Sequence, residues 1–180
     1  MIIRNYSIIA FVYLSTLLQL SCGNNQTHVT KKTDLESKEF KDKLVDANKI
    51  YVKRESDEID QYVQHKKWGM TTTGSGLRYM ITKKGSGLSP QTEQHVKLNF
   101  KISLLDGTLC YSSDSTGSYE FVVDKSSVET GLHEGVKYMH VGDKALMILP
   151  SHLAYGLIGD ENKIPPRASV LYELELLSIR

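Results

Sequence analysis

The sequence has few of the residues that form covalent cross-links or bind metals. It contains two cysteines, four prolines and one tryptophan among 180 residues. So few cysteines exclude a disulfide framework, and the fold must be stabilised by a hydrophobic core. His133 and His140 have no cysteine or acidic partner at metal-ligand spacing, so we expect no metal site. No glycine-rich phosphate loop is present, and we expect no cofactor.

An excess of one charge is also missing. The sequence has 22 basic and 21 acidic side chains, a net charge of +1, and the two signs are mixed along the chain. No basic run is long enough to follow a phosphate backbone, so we exclude nucleic acid as a partner. Hydrophobic residues make up 40% of the sequence, which is enough for one buried core with appended segments.

The N-terminus has the pattern of a bacterial lipoprotein signal. Arg4 is positively charged, and residues 8–20 form an apolar run too short to span a bilayer of about 30 Å comfortably. We expect cleavage after residues 1–21 and a lipid on Cys22, although an ordinary signal peptide or an uncleaved anchor would also export the chain. The predicted location is the cell envelope, at the outer membrane facing the periplasm. Cys110 would then be unpaired, and we interpret it as a small buried apolar residue.

A polar tether and a long helix are expected next. Residues 22–34 lack apolar periodicity, whereas residues 35–68 have apolar side chains at helical spacing and no internal proline. The apolar stripe consists of Phe40, Leu44, Ala47, Tyr51, Ile59 and Tyr62. It either packs on the following domain or forms a homodimer arm of about 45 Å.

After Gly76, apolar residues recur at every second position, which indicates strands. The predicted strands are Leu77–Ile81, His95–Leu104, Tyr119–Val123, Ala145–Leu149 and Val170–Ile179. Within residues 76–180, only Leu132–Met139 has the pattern of a helix. The predicted fold of residues 76–180 is therefore α+β, an antiparallel half-barrel sheet wrapped on one short helix.

Several motifs occur in a fixed order across the same region. They are Asp106-Gly107 with Ser112-Ser113, Gly131–Val136, Leu149–Gly156, Ile164-Pro165-Pro166 and Leu174–Leu177. Taken together, these motifs resemble the FKBP-type peptidyl-prolyl cis-trans isomerases. The resemblance implies the FKBP-like half-barrel, proline-containing polypeptide substrates and a role in the folding of exported proteins.

The implied reaction has simple requirements. Rotation about an X-Pro bond crosses a barrier of about 18–20 kcal/mol and takes tens to hundreds of seconds without a catalyst. No bond is broken, so neither a nucleophile nor a metal is needed. An apolar cup that removes water from the amide, with donors placed for the rotated carbonyl, is sufficient for useful acceleration.

The resemblance also implies which residues form the cup. The implied catalytic residues are Tyr155, Phe100, Tyr119, Ile164 and Tyr172. The implied substrate-binding residues are Val128, Glu129, Leu132, Tyr111 and Cys110. The Tyr155 hydroxyl would donate to the substrate carbonyl, and the backbone N–H of Glu129 would bind substrate.

Three departures from the family pattern reduce the expected efficiency of catalysis. Cys110 and Tyr111 replace a phenylalanine–aspartate pair, Leu132 replaces a tryptophan floor, and Glu129 replaces an isoleucine. The alternative function is therefore a weakly catalytic binding or structural module in a membrane-associated assembly such as gliding machinery. The segments Met139-His140 and Pro150–His152 are similar to those of lipid-anchored FKBP-like proteins implicated in gliding motility.

Overall fold

The structure is a computed structural model that describes residues 26–180, with side chains described from residue 37 onward. The predicted signal peptide and Cys22 therefore lie outside the described residues. The chain divides into two units, Met1–Lys49 and Ile50–Arg180. Among the described residues, no helix is both long enough and apolar enough to cross a membrane.

Helix α1 (Gln26–Lys66) has 41 residues and contains neither proline nor glycine, so nothing in its sequence interrupts the hydrogen-bond ladder. It begins inside residues 22–34, which the sequence predicted to be a tether. Its end at Lys66 is within two residues of the predicted end at residue 68. Lys67, directly after the helix, adopts a left-handed conformation with φ 56°, which is typical of a helix C-terminus.

The apolar positions of helix α1 do not share one environment. In the second unit, Ile59 is fully buried in a small cluster with Ile148 and Leu171, and Tyr62 packs against the same cluster. Phe40, in the first unit, is 64% exposed. Packing on the following domain is therefore confirmed for the last turns of the predicted stripe, whereas the homodimer arm stays a prediction for the rest.

The domain that follows is one antiparallel sheet of seven strands. The strands are β1 (Thr71–Thr72), β2 (Arg78–Lys83), β3 (His95–Leu104), β4 (Leu109–Ser112), β5 (Tyr119–Val122), β6 (Lys144–Leu149) and β7 (Val170–Ile179). Their order in the sheet is β1-β2-β6-β7-β3-β4, with β5 also paired to β3. The two longest strands, β3 and β7, pair from Val96 opposite Ile179 to Leu104 opposite Val170.

Two short helices and a 3₁₀ turn complete the domain: α2 (Ser113–Thr116), α3 (Thr130–Val136) and the turn Ser151–Leu153. Helix α3 lies directly on the sheet, and Leu132 and Val136 enter the main core. A Cβ atom on Gly135 would lie 2.3 Å from the sulfur of Met147. A larger residue here would force the buried Met147 side chain to move, so glycine allows this close approach of helix and sheet. The predicted half-barrel on one short helix is confirmed.

The differences from the predicted elements are local. Strands β3 and β7 have the predicted bounds, and helix α3 begins two residues before Leu132 and ends at Val136 instead of Met139. The sequence did not predict β1 or β4 as strands. Strand β4 buries only Cys110 and Ser112, so it has no apolar alternation of its own.

Candidate active site

A cavity of about 390 Å³ opens between the sheet, helix α3 and the segment that follows β6. Eight of the ten side chains that the sequence placed in the cup line this cavity. They are Phe100, Tyr111, Tyr119, Val128, Glu129, Leu132, Tyr155 and Tyr172. A volume of this size is within the usual range for small-ligand sites, about 300–1,000 Å³.

The sheet supplies the deep wall of the cavity. Phe100 lies on β3 among residues whose side chains alternate between the two faces of the sheet, and Ile102 on the same face pairs with Tyr172 of β7. Tyr119 of β5 packs edge-on against Phe100, with ring centroids 6.2 Å apart and an interplanar angle of 72°. Leu132 of helix α3 supplies the apolar side opposite the sheet. These rings and side chains give the cavity a largely apolar and aromatic wall.

Two tyrosine hydroxyls meet inside the cavity. The hydroxyl oxygens of Tyr155 and Tyr172 are 3.3 Å apart. Burial raises the pKa of both phenols well above the ordinary value, and the nearby Glu129 carboxylate raises both pKa values further. Both hydroxyls are therefore protonated at neutral pH, and Tyr155 is available as a hydrogen-bond donor.

Glu129 contributes more to the cavity than the backbone N–H that the resemblance implied. Its carboxylate lies near the hydroxyls of Tyr155 and Tyr172. Within residues 37–180, it forms no ion pair with a lysine or arginine. A carboxylate in this position adds a strong hydrogen-bond acceptor to the cavity, close to the two tyrosine hydroxyls.

A polar network forms one rim of the cavity. The Tyr111 hydroxyl donates to the carboxylate of Asp160, whose Oδ1 also accepts from the backbone N–H groups of Asn162 at 3.0 Å and Ile164 at 2.7 Å. Partial burial opposes ionisation of Asp160, but these hydrogen bonds outweigh it and lower the pKa of the carboxyl overall. The Lys163 ammonium lies 5.1 Å from the centre of the Tyr111 ring. The network holds the carboxylate in its ionised form.

Two predicted site residues do not line the cavity. Cys110 is buried, and its thiol lies 3.7 Å from the carbonyl oxygens of Thr108 and Lys163. Burial raises the pKa of the Cys110 thiol, which is the behaviour of an inert core residue. Ile164 is 2% exposed and belongs to the main core. The side chains of both residues are buried in the core beside the cavity, whereas the family resemblance implied that they contact substrate.

Other lining residues were not predicted as site residues: Leu98, Ile102, Thr116, Ser127, Asp160 and Asn162. Leu98 and Ile102 could have been found, because they share the face of Phe100 by strand alternation. The polar four lie in loops or at the end of α2, where no periodicity marks a position as pocket-facing. Among the described residues, no group of three histidine, cysteine or acidic side chains is arranged to hold a metal ion.

Sequence comparison relates this chain to characterised proteins. The family model described as FKBP-type peptidyl-prolyl cis-trans isomerase matches residues 87–177. The chain is 33% identical over 139 residues to a probable FKBP-type peptidyl-prolyl cis-trans isomerase, FkpA, of Neisseria meningitidis, a match covering 76% of this chain and 51% of that protein. It is 36% identical over 115 residues to an Escherichia coli FKBP-type 22 kDa peptidyl-prolyl cis-trans isomerase, covering 63% of this chain and 55% of that protein. The chain therefore spans about half the length of the curated relatives that it matches.

Structural comparison gives the same result for the fold. The crystal structure of Escherichia coli FkpA is similar with a TM-score of 0.63 and 26% identity, covering 98% of this chain and 82% of that chain. The crystal structure of AtFKBP13 is similar with a TM-score of 0.59 and 25% identity, covering 62% of this chain and 98% of that chain.

Proposed function

This chain belongs to the FKBP-type peptidyl-prolyl cis-trans isomerase family, and on that premise we propose that it catalyses isomerisation of X-Pro bonds in exported polypeptides. The observation that carries the proposal is the Tyr155 hydroxyl, a protonated donor in a cavity lined by apolar and aromatic side chains. The whole reaction requires only such a cup and its donors, because no covalent bond is made or broken.

The geometry suggests how the cup lowers the barrier. A proline ring placed against Phe100, Val128 and Leu132 loses its water, which disfavours the planar amide because that form has the larger charge separation. The Tyr155 O–H then donates to the rotated carbonyl. Each tenfold of rate needs only about 1.4 kcal/mol, so two such contributions give a useful catalyst.

A kinetic measurement tests this proposal. Isomerisation of a proline tetrapeptide is followed for the wild-type protein, for Tyr155→Phe and for Tyr138→Phe as a matched control outside the cavity. Loss of one buried donor costs about 1–1.5 kcal/mol, so Tyr155→Phe is expected to lower kcat/KM about five- to tenfold. Tyr138 stacks on Tyr79 at 4.6 Å, and its variant is expected to keep the wild-type rate. A wild-type rate equal to that of buffer would refute the enzymatic function.

A second candidate function is a binding or structural module with little turnover, as in gliding machinery. The observation favouring it is that polar groups of the cavity already pair with one another, Tyr111 with Asp160 and Tyr155 with Tyr172. Titration calorimetry with the same tetrapeptide separates the two functions. Saturable binding without any acceleration of isomerisation would favour the binding module.

We also propose that Cys22 carries a lipid that anchors the protein to the cell envelope, at the outer membrane facing the periplasm. The support is the sequence of residues 1–22 alone. Incorporation of a labelled fatty acid is expected for the wild-type chain and for Cys110→Ala, and not for Cys22→Ala. Equal labelling of the two variants would refute the anchor.

We propose further that the first part of helix α1 mediates homodimer formation. In the unit Met1–Lys49, Phe40, Leu44 and Val45 are 64%, 55% and 45% exposed, an apolar exposure that association would remove. Sedimentation equilibrium is expected to give a dimer that Leu44→Glu dissociates and the polar control Lys41→Glu does not. A wild-type monomer at high concentration would contradict this proposal.

A further inference from the structure

The segment Pro150–Ser169 presents Tyr155 to the cavity without help from a strand ladder. Apart from one 3₁₀ turn at its start, this segment contains no helix or strand. Gly156, directly after the tyrosine, is fixed on both sides. Its N–H donates to the carbonyl oxygen of Ser151 at 2.7 Å, and its carbonyl accepts from the N–H of Arg167 at 3.0 Å. The position of Tyr155 therefore depends on where Ser151 and Arg167 are held.

Glu55 of helix α1 binds both ends of this segment. Its Oε1 accepts hydrogen bonds from the backbone N–H of Ser151 at 2.7 Å and from the hydroxyl of Ser169 at 2.6 Å. Its Oε2 accepts from the Ser151 hydroxyl at 3.0 Å. All three residues belong to the unit Ile50–Arg180. One ionised carboxylate thus joins the start and the end of the segment through charge-assisted hydrogen bonds.

Tyr51 contributes a second contact from the same helix. It lies one turn before Glu55, so both side chains project from one face of helix α1. The guanidinium carbon of Arg167 lies 4.2 Å from the centre of the Tyr51 ring, a cation–π contact. The helix therefore contacts the segment at both positions that fix Gly156.

We propose that Glu55 is a positioning residue for the isomerase: its carboxylate holds Ser151 and Ser169, and thereby holds Tyr155 at the cavity wall. The inference rests on the proposed function, because the isomerase reaction is what gives the Tyr155 hydroxyl its role. Through Glu55, helix α1 then contributes to the active site.

A purely stabilising role of Glu55 makes a different prediction, and Asp60 provides the matched control. Asp60 also lies on helix α1 and also binds the domain through its carboxylate. It accepts from Nε of Arg78 at 3.1 Å and from Nη2 at 2.9 Å, and Arg78 belongs to β2. Asp60→Ala therefore removes a comparable helix–domain contact without removing a contact to the segment that carries Tyr155.

Hydrogen exchange on the full chain tests positioning without any substrate. Glu55→Ala is expected to speed exchange in peptides covering Tyr155–Ser169 by about tenfold, because local opening becomes easier, and Asp60→Ala is expected to leave it unchanged. Glu55→Gln keeps the side-chain shape and one acceptor oxygen, so we expect an intermediate increase and a folded protein. Unchanged exchange in both Glu55 variants would overturn the proposal, whatever their activity.

Kinetics test the consequence for catalysis. At a temperature where circular dichroism shows every variant folded, Glu55→Ala is expected to lower kcat/KM about fivefold, with Asp60→Ala at the wild-type value. In a Tyr155→Phe background, Glu55→Ala is expected to have no further effect, since the two residues act through one hydroxyl. A fully additive loss would overturn the proposal. A wild-type protein without isomerase activity would refute the proposed function instead, and the exchange comparison would still decide whether Glu55 positions the segment.

Discussion

Replacing Glu129 by glutamine is expected to increase isomerase activity. The carboxylate of Glu129 lies beside the hydroxyls of Tyr155 and Tyr172, and it contributes to the raised pKa of both. In the proposed mechanism, this carboxylate is a competing acceptor for the Tyr155 proton, and the Tyr155 hydroxyl itself lies 3.3 Å from that of Tyr172. Glutamine has the same shape and a weaker, neutral acceptor, so the substrate competes better for the donor.

The size of this effect follows from the two kinds of hydrogen bond. A bond to a charged group contributes about 1.5–3 kcal/mol net, and a neutral bond about 1 kcal/mol. The substrate therefore gains about 1 kcal/mol when the carboxylate is neutralised, which is about fivefold in kcat/KM. For a charge on the residue before the proline, taken to lie about 7 Å from the carboxylate, the interaction energy is about 0.7 kcal/mol once solvent screening is included, favourable for lysine and unfavourable for glutamate.

The assay uses three tetrapeptides with leucine, lysine or glutamate before the proline. Wild-type protein is expected to prefer lysine to glutamate, and Glu129→Gln is expected to reduce that preference about tenfold while raising the rate for the leucine peptide about fivefold. Glu161→Gln, an exposed change outside the cavity lining, is the matched control and is expected to behave as wild type. An unchanged or lower rate of Glu129→Gln on the leucine peptide would refute the competition between Glu129 and substrate.

Three further predictions concern stability, measured by thermal and urea unfolding. Ile59→Ala leaves a cavity at a fully buried position and is expected to cost about 2–4 kcal/mol and about 6–12 °C in Tm; Ile158→Ala, at a 68% exposed side chain, is the control expected to show no change. Gly85→Ala places a Cβ 2.2 Å from a backbone carbonyl oxygen and is expected to cost at least about 2 kcal/mol, whereas Gly74→Ala meets nothing within 4 Å and tests whether alanine itself is tolerated. The pKa of Asp160 is lower in the folded than in the unfolded protein, so its ionised form stabilises the fold above the unfolded pKa of about 3.9, and this stabilisation is lost as the pH falls through the folded pKa. The difference in unfolding free energy between wild type and Asp160→Asn is therefore expected to be constant above about pH 5 and to shrink at pH 3. An equal difference in unfolding free energy at pH 7 and pH 3 would contradict a lowered pKa for Asp160.

The sequence alone determined the elements whose signal is local. Strand β3 alternates apolar and polar residues over ten positions, and β7 does so from Tyr172 to Leu176; a period of two is a property of neighbouring residues. Helix α1 has no proline or glycine to stop it. The family resemblance placed Phe100 and Tyr172 in the cup, because the order of the family's motifs can also be read directly from the sequence.

Tertiary structure alone decided what depends on distant segments meeting. Cys110 alternates with Tyr111 on β4, and only the packing of the following segment shows that the tyrosine faces the cavity while the cysteine is buried. The pairing of Tyr111 with Asp160 joins a strand to a loop without periodicity. Glu55 is one of many acidic residues on an amphipathic helix, and only the fold brings it to Ser151 and Ser169. Sequence patterns show which residues share a face of one helix or strand, whereas contacts between residues of different elements are determined by how those elements pack.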